Sequence, residues 1–176
     1  MTYASLEFHL LTEADLPLLH SWLNRPHVLE WWSGEASLEE VRTKYLPRIG
    51  SGPVRPYLAY LGSKPVGYIQ SYIAIETEDG WWVGNADPGV LGIDQFIAEP
   101  DWLGHGLGTV MASQFAALLF RDPTVSRVQA DPRPDNPRAI RCYEKAGFRS
   151  QGLVTTPDGP ALLMVLNRPA GASAAV

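Results

Sequence analysis

Apolar positions recur along this chain in short runs of strand length and in longer stretches at helical spacing, punctuated by Gly and Pro. Leu6 to Leu11 reads as a first strand. Thr12-Glu13-Ala14-Asp15 then has the form of a capping box, opening a helix through Leu16, Leu19, Trp22 and Leu23 that Pro26 ends. A loop with Glu30-Trp31-Trp32 precedes a second helix, from Leu38 to about Ile49. After Gly50, Gly52, Pro53 and Pro56 come a strand from Tyr57 to Leu61, a turn at Gly62-Ser63-Lys64-Pro65, and a returning strand from Val66 to Ile75.

The second half begins with an acidic, aromatic loop containing Asp79-Gly80-Trp81-Trp82 and Asp87-Pro88-Gly89. Leu91 to Ala98 is the next strand. Beyond it, Leu103-Gly104-His105-Gly106-Leu107-Gly108-Thr109 leads into a helix whose Leu107, Val110, Met111, Phe115 and Leu118 recur at helical spacing. Ser126 to Asp131 reads as a strand stopped by Pro132 and Pro134. Asn136 as N-cap, Pro137 at the first helical position and Gly147 at C′ bracket a helix over residues 137 to 146. Two last strands, Phe148 to Thr155 and Ala161 to Leu166, flank a turn at residues 156 to 160. Residues 169 to 176 read as a disordered tail, and residues 1 to 168, without repeat or linker, as a single domain.

Composition narrows the partners. The 176 residues are 45% hydrophobic and 19% charged, ordinary values for a globular chain long enough to bury a sizeable core. A net charge of −5 speaks against nucleic acid, whose phosphates call for clustered Lys and Arg, and leaves room for a cationic small molecule. Cys142 is the one cysteine, so no internal disulfide forms. The start has no basic region followed by an apolar one, and no apolar run reaches membrane-spanning length; a cytoplasmic protein with no membrane partner is expected. His9, His20, His27 and His105 show no ligand spacing, so no metal is expected.

The glycine loop carries the first chemical signal. Backbone N–H groups and the dipole at a helix N-terminus attract phosphate, and glycines let the backbone come close to the anion. Gly104, Gly106 and Gly108 supply that surface, Thr109 adds a hydroxyl, and His105 is either a phosphate donor or an exposed loop residue. Packing glycines at a helix cap are the alternative. The loop lacks the Lys-Ser/Thr ending of a P-loop and the context of a dinucleotide fingerprint.

Downstream, Asn136 precedes a helix carrying Ala139, Tyr143 and then Gly147-Phe148. Together with the strand and glycine loop before it, this segment resembles the two signatures of the GCN5-related N-acetyltransferase (GNAT) superfamily. Leu103 stands where that family commonly has Gln or Arg, a departure of small consequence if backbone amides hold the pyrophosphate. The resemblance implies an α/β (α+β) GNAT fold, with a mixed, mostly antiparallel sheet of six to seven strands and about four helices. It also implies acetyl-CoA as cosubstrate, bound by Ile97, the loop from Leu103 to Thr109, Asn136, Ala139 and Tyr143.

Further segments, among them Glu30-Trp31-Trp32, Gly67 to Tyr72, Asp79 to Trp82, Gly92 to Gln95 and Thr155 to Ala161, resemble the aminoglycoside 6′-N-acetyltransferases. That likeness runs from about Asp15 to Val165 and implies acetylation of the 6′-amine of an aminoglycoside antibiotic. The residues suit a polycation. Asp79, Asp94, Asp131 and Asp158 stand at strand ends or turns, and Trp31, Trp32, Trp81 and Trp82 offer indole faces to ammonium groups and sugars. Gln70 and Tyr72 join them on the acceptor side by resemblance. Turn-forming aspartates and core-capping or dimer-contact tryptophans are the competing readings.

The transfer needs a base for the ammonium and an acid for the departing thiolate. Asp94, mid-strand among apolar neighbours, is the candidate base, directly or through water, or else a hydrogen-bonded structural aspartate. Tyr143 is the candidate acid by resemblance, or else a core tyrosine. Asn136 binds the pantetheine arm, caps its helix, or does both. Cys142 beside Tyr143 raises a ping-pong route, but a lone helical cysteine more often simply packs. Rival functions are acetylation of another amine (a protein N-terminus, a polyamine, a siderophore precursor) and a non-catalytic acetyl-CoA-binding module. Monomer and homodimer both remain open.

Overall fold

A computed structural model describes residues 5–35, 37–50, 52–76, 82 and 86–169. Among the described residues, seven strands form one sheet: β1 (Glu7–Leu10), β2 (Val54–Leu61), β3 (Lys64–Ile73), β4 (Val90–Ile97), β5 (Arg127–Ala130), β6 (Arg149–Thr156) and β7 (Gly159–Asn167), in the order β1-β2-β3-β4-β5-β7-β6. The pair β4·β5 is parallel, whereas β1·β2, β5·β7 and β6·β7 are antiparallel, which makes the sheet mixed. Five helices accompany it: α1 (Leu16–Leu23), α2 (Pro26–Leu29), α3 (Leu38–Tyr45), α4 (Leu107–Leu119) and α5 (Pro137–Lys145).

Local signals explain most boundaries. The Asp15 carboxylate accepts hydrogen bonds from the Thr12 N–H at 2.9 Å and the Thr12 hydroxyl at 2.6 Å, closing the turn that feeds α1. Ser37 and Glu40 make a reciprocal box at the start of α3. Two prolines act differently from expectation. Pro26 does not stop α1, which ends at Leu23; it opens the single-turn α2, because its fixed φ and missing N–H suit a first helical position. The helix expected to reach Ile49 closes at Tyr45 and tightens into a 3-10 turn, Leu46–Arg48, since Pro47 has no N–H to continue the α ladder. Likewise the strand expected to reach Ile75 ends at Ile73, and Ala74–Glu76 turns off as a 3-10 helix.

The chain gathers into two compact units. The first comprises residues up to Gln70 together with Gln95–Leu107. Its core is Leu11, Leu16, Leu19, Trp22, Leu23, Val41, Tyr45, Leu58, Tyr68 and Ala98, the apolar stripes of α1 and α3 against one face of the strands. The second comprises Ser71–Asp94 and the chain from Gly108 onward. Here Met111, Ala112, Phe115 and Ala116 of α4 are fully buried, as are Val90, Ile93, Val128, Ala130, Phe148 and Met164. Within it, Arg168 ties the end of the sheet to the end of α4 by donating to the carbonyls of Phe120 and Val125, each at 2.8 Å. No helix among the described residues is long and apolar enough to cross a membrane. Asp79, Trp81 and the tail beyond Pro169 lie outside the described residues.

Candidate active site

The parallel ladder between β4 and β5 is short. It pairs Val90 with Arg127, Leu91 with Val128 and Gly92 with Gln129. Two residues past the last pair, each chain carries an aspartate: Asp94 and Asp131. Alternation along a strand returns i and i+2 to the same face, so Asp94 stands on the face of Gly92, while Asp131 is the first residue past β5. Both are half-buried.

Two like charges brought together out of water cannot both ionise freely. Burial and the neighbouring Asp94 push the Asp131 carboxyl up to about 7, with Asp158 adding in the same direction; a hydrogen bond from the Tyr72 hydroxyl, at 3.4 Å, opposes the rise. Asp158 lies in the exposed two-residue turn joining β6 and β7, so its charge reaches the pair from a third direction.

Tyr72 approaches from β3. A β-carbon placed on Gly92 would come within 1.9 Å, 2.2 Å and 2.3 Å of its Cζ, Cε2 and hydroxyl oxygen, so the ring lies directly over that glycine. Trp82 stacks on Tyr72, with centroids 6.4 Å apart and planes 14° from parallel. Trp82 holds φ at 32°, the left-handed region that a bulky residue rarely enters. The second phenol, Tyr143, comes from α5, is 6% exposed and packs edge-on against Phe148. Burial first, then the charge of Asp94, raises both phenols well above their ordinary value, so each remains protonated and able to donate at neutral pH.

Helix α5 is set by its ends. The Asn136 Oδ1 accepts from the Ala139 N–H at 3.0 Å, which leaves its amide NH2 as a donor, and Gly147 closes the helix at φ 99°. The Thr109 hydroxyl in α4 donates to the Cys142 carbonyl at 3.4 Å, so that group serves the packing of α4 on α5. Cys142 is half-buried.

In the glycine loop, Gly104 and Gly106 take φ values of 80° and 87°, where a side chain would be strained, and a β-carbon on either would meet nothing within 4 Å. The demand there is conformational, and the space beside the backbone is open. Gly104, His105 and Gly106 are exposed, Leu103 and Gly108 are half-buried, and Leu107 anchors the start of α4 with no exposure. Ile97 is 8% exposed, and its carbonyl accepts from the His27 ring at 3.0 Å.

Other expected acceptor residues sit in the first unit. Trp32 packs edge-on against Tyr68 and Phe96, with centroids 5.7 and 5.2 Å away, and so belongs largely to the core there. Trp31 is half-buried in the turn after α2. Gln70 is 8% exposed, and its Oε1 accepts from the Tyr68 hydroxyl at 2.7 Å and from Arg48 at 3.5 Å. Two residues were not singled out from the sequence. Gly92 had a signal, a glycine inside a strand, which often marks a close approach. Gln129 is 4% exposed, and its amide nitrogen has no hydrogen-bond partner.

The family model for the acetyltransferase (GNAT) domain matches residues 12–156. The chain belongs to the GNAT acetyltransferase family. Among GNAT relatives, the aminoglycoside N(6′)-acetyltransferase type 1 of Klebsiella pneumoniae is 52% identical over 170 residues, covering 94% of this chain and 85% of that protein. A solved structure of AAC(6′)-Ib with paromomycin and acetyl-CoA superposes with a TM-score of 0.90 at 51% identity, covering 94% of each chain. Another, of AAC(6′)-Ib with coenzyme A and kanamycin, has a TM-score of 0.89 at 52% identity over 93% of this chain and 95% of that one. The sheet order and helix set described above are therefore those of a GNAT fold, as the signatures had implied.

Proposed function

We propose that this GNAT enzyme transfers the acetyl group of acetyl-CoA to the 6′-amine of aminoglycoside antibiotics. The observation that carries the reading is the pair Asp94, on β4, and Asp131, just past β5, with the protonated phenols of Tyr72 and Tyr143 beside it. Two carboxylates held together, one of them raised to about 7, form a site whose charge a cationic substrate would relieve. A polyammonium substrate supplies that charge, and the relatives' specificity for aminoglycosides supports the same class.

The donor side fits the open glycine cradle. Acetyl-CoA, when bound, supplies an activated acetyl thioester. Backbone N–H groups from Gly104 to Gly108 at the start of α4 hold its pyrophosphate, with Leu103 and Thr109 flanking and His105 at the exposed rim. Ile97, Ala139 and the free amide of Asn136 hold the pantetheine arm. On the acceptor side Asp131, held by the Tyr72 hydroxyl, and Asp158 neutralise ammonium groups, and Trp82 offers a ring face. The resemblance adds Trp31, Trp32, Gln70, Asp79 and Trp81 to the acceptor side.

Asp94 takes the proton from the 6′-ammonium, directly or through one water, so that the nitrogen lone pair can form the new N–C bond. As the C–S bond breaks, Tyr143 gives its proton to the sulfur, and the second proton shed by the acylated nitrogen restores the phenol, directly or through water. Transfer is direct, without an acyl-enzyme. The test is thiol release from acetyl-CoA with kanamycin, tobramycin or amikacin, set against spermidine and a peptide with a free N-terminus. Acceleration by the aminoglycosides alone supports the reading; acceleration by the polyamine or peptide alone overturns it.

A further inference from the structure

Gly92 and Tyr72 form a device whose parts come from different strands. Tyr72 belongs to β3 and Asp131 follows β5, yet β4 lies between those strands in the sheet. A tyrosine reaches over an intervening strand only if that strand is flat where the ring crosses. Gly92 provides the gap: any β-carbon there would stand 1.9 Å from Cζ and 2.3 Å from the hydroxyl oxygen. The hydroxyl then arrives 3.4 Å from the Asp131 Oδ1, with Trp82 stacked on the same ring.

We propose that Gly92 is a specificity-determining position for the acceptor, because it alone allows Tyr72 to cross β4 and orient the Asp131 carboxylate toward a substrate ammonium. Tyr72 and Gly92 are positioning residues in this account; Asp131 makes the contact. The inference rests on the acceptor reading above and deepens it.

The groups facing Asp131 define what the device changes. Asp94 on β4 and Asp158 in the β6–β7 turn oppose its ionisation, Tyr143 on α5 lies close enough to feel its charge, and Tyr72 from β3 favours ionisation by donating. Removing the Tyr72 hydroxyl leaves the opposing groups in place. Asp131 then holds its proton to higher pH and presents less negative charge to an ammonium near neutrality.

Tyr72→Phe keeps the ring and removes the donor; Gly92→Ala displaces the ring. The first experiment follows the Asp131 side-chain carboxyl by carbon-13 NMR across pH in the protein without substrate, a readout independent of turnover. Both variants are expected to move its midpoint upward, by about half a unit for a bond of this length. The second measures kanamycin and acetyl-CoA kinetics from pH 6 to 9. Tyr72→Phe is expected to raise the kanamycin KM about two- to threefold at pH 6 to 7 and hardly at all at pH 9, while the acetyl-CoA KM stays unchanged at every pH. Adding Tyr72→Phe to Gly92→Ala should change little further. An unshifted Asp131 midpoint in Tyr72→Phe, or a kanamycin KM raised equally at every pH, overturns the proposal even if Gly92→Ala fails to fold. A wild-type enzyme inert toward every aminoglycoside would instead defeat the acceptor reading, and the NMR midpoints would still judge the device.

Discussion

Asp131→Asn separates charge from shape at the acidic pair, and the structure gives its effect both a sign and a ceiling. The carboxyl moves from an ordinary 3.8 to about 7 on folding, chiefly through burial and then through Asp94. In the unfolded chain it has already lost its proton by pH 5, whereas in the folded protein it keeps that proton until near neutrality. Between those values the folded state binds more protons, so this group's contribution to stability falls as pH rises and is fully unfavourable above about 7. A rise of roughly three units corresponds to at most ~4 kcal/mol, and sharing of the penalty with Asp94 reduces what one substitution recovers. Asparagine has nearly the same shape, can still accept from the Tyr72 hydroxyl and carries no charge. Urea unfolding at pH 8 is therefore expected to show the variant more stable than wild type by about 1–3 kcal/mol, converging to no difference at pH 4. The same variant should lose acceptor affinity at pH 8, so stability and function move in opposite directions. Destabilisation of equal size at both pH values would mean that the aspartate serves packing or hydrogen bonding and carries no electrostatic penalty.

Asp94→Asn should lower kcat by about 10²–10⁴ while a calorimetric titration of acetyl-CoA stays unchanged; near-normal kcat would remove Asp94 from the base role. Tyr143→Phe should lower kcat at least about tenfold, and a loss confined to thermal stability would make it a packing residue on Phe148. Asn136→Ala removes the cap on the Ala139 N–H, costing about 1 kcal/mol in urea unfolding, and should also raise the acetyl-CoA KM. Cys142→Ala should leave steady-state turnover intact, since direct transfer has no acetyl-cysteine; loss of activity with an intact fold would reopen the ping-pong route.

The sequence made legible what is determined locally. The capping residues Thr12 and Asn136, the C′ glycine at 147 and the paired glycines at 104 and 106 each act within a few residues, and each appears in the structure in its expected conformation or hydrogen bond. Pro26 misled because proline both ends helices and opens them, and only the chain that follows decides between the two. What depends on register across strands left no local trace. That Asp94 and Asp131 are opposite follows from Gly92 pairing with Gln129, and that Tyr72 lies over Gly92 follows from the order of three strands. Trp32 shows the same limit in reverse: its neighbours in sequence suggest a binding loop, while its ring is spent largely on Tyr68 and Phe96.

If the acidic site delivers one particular amine of an aminoglycoside to the acetyl donor, the position of the new amide must show it. Acetylating kanamycin with the purified enzyme and locating the new amide by two-dimensional NMR tests it most directly. A single product carrying the acetyl group on the 6′-nitrogen, lost with Asp94→Asn, is the predicted result. Acetylation at another amine, or no aminoglycoside product while another amine is acetylated readily, would contradict it.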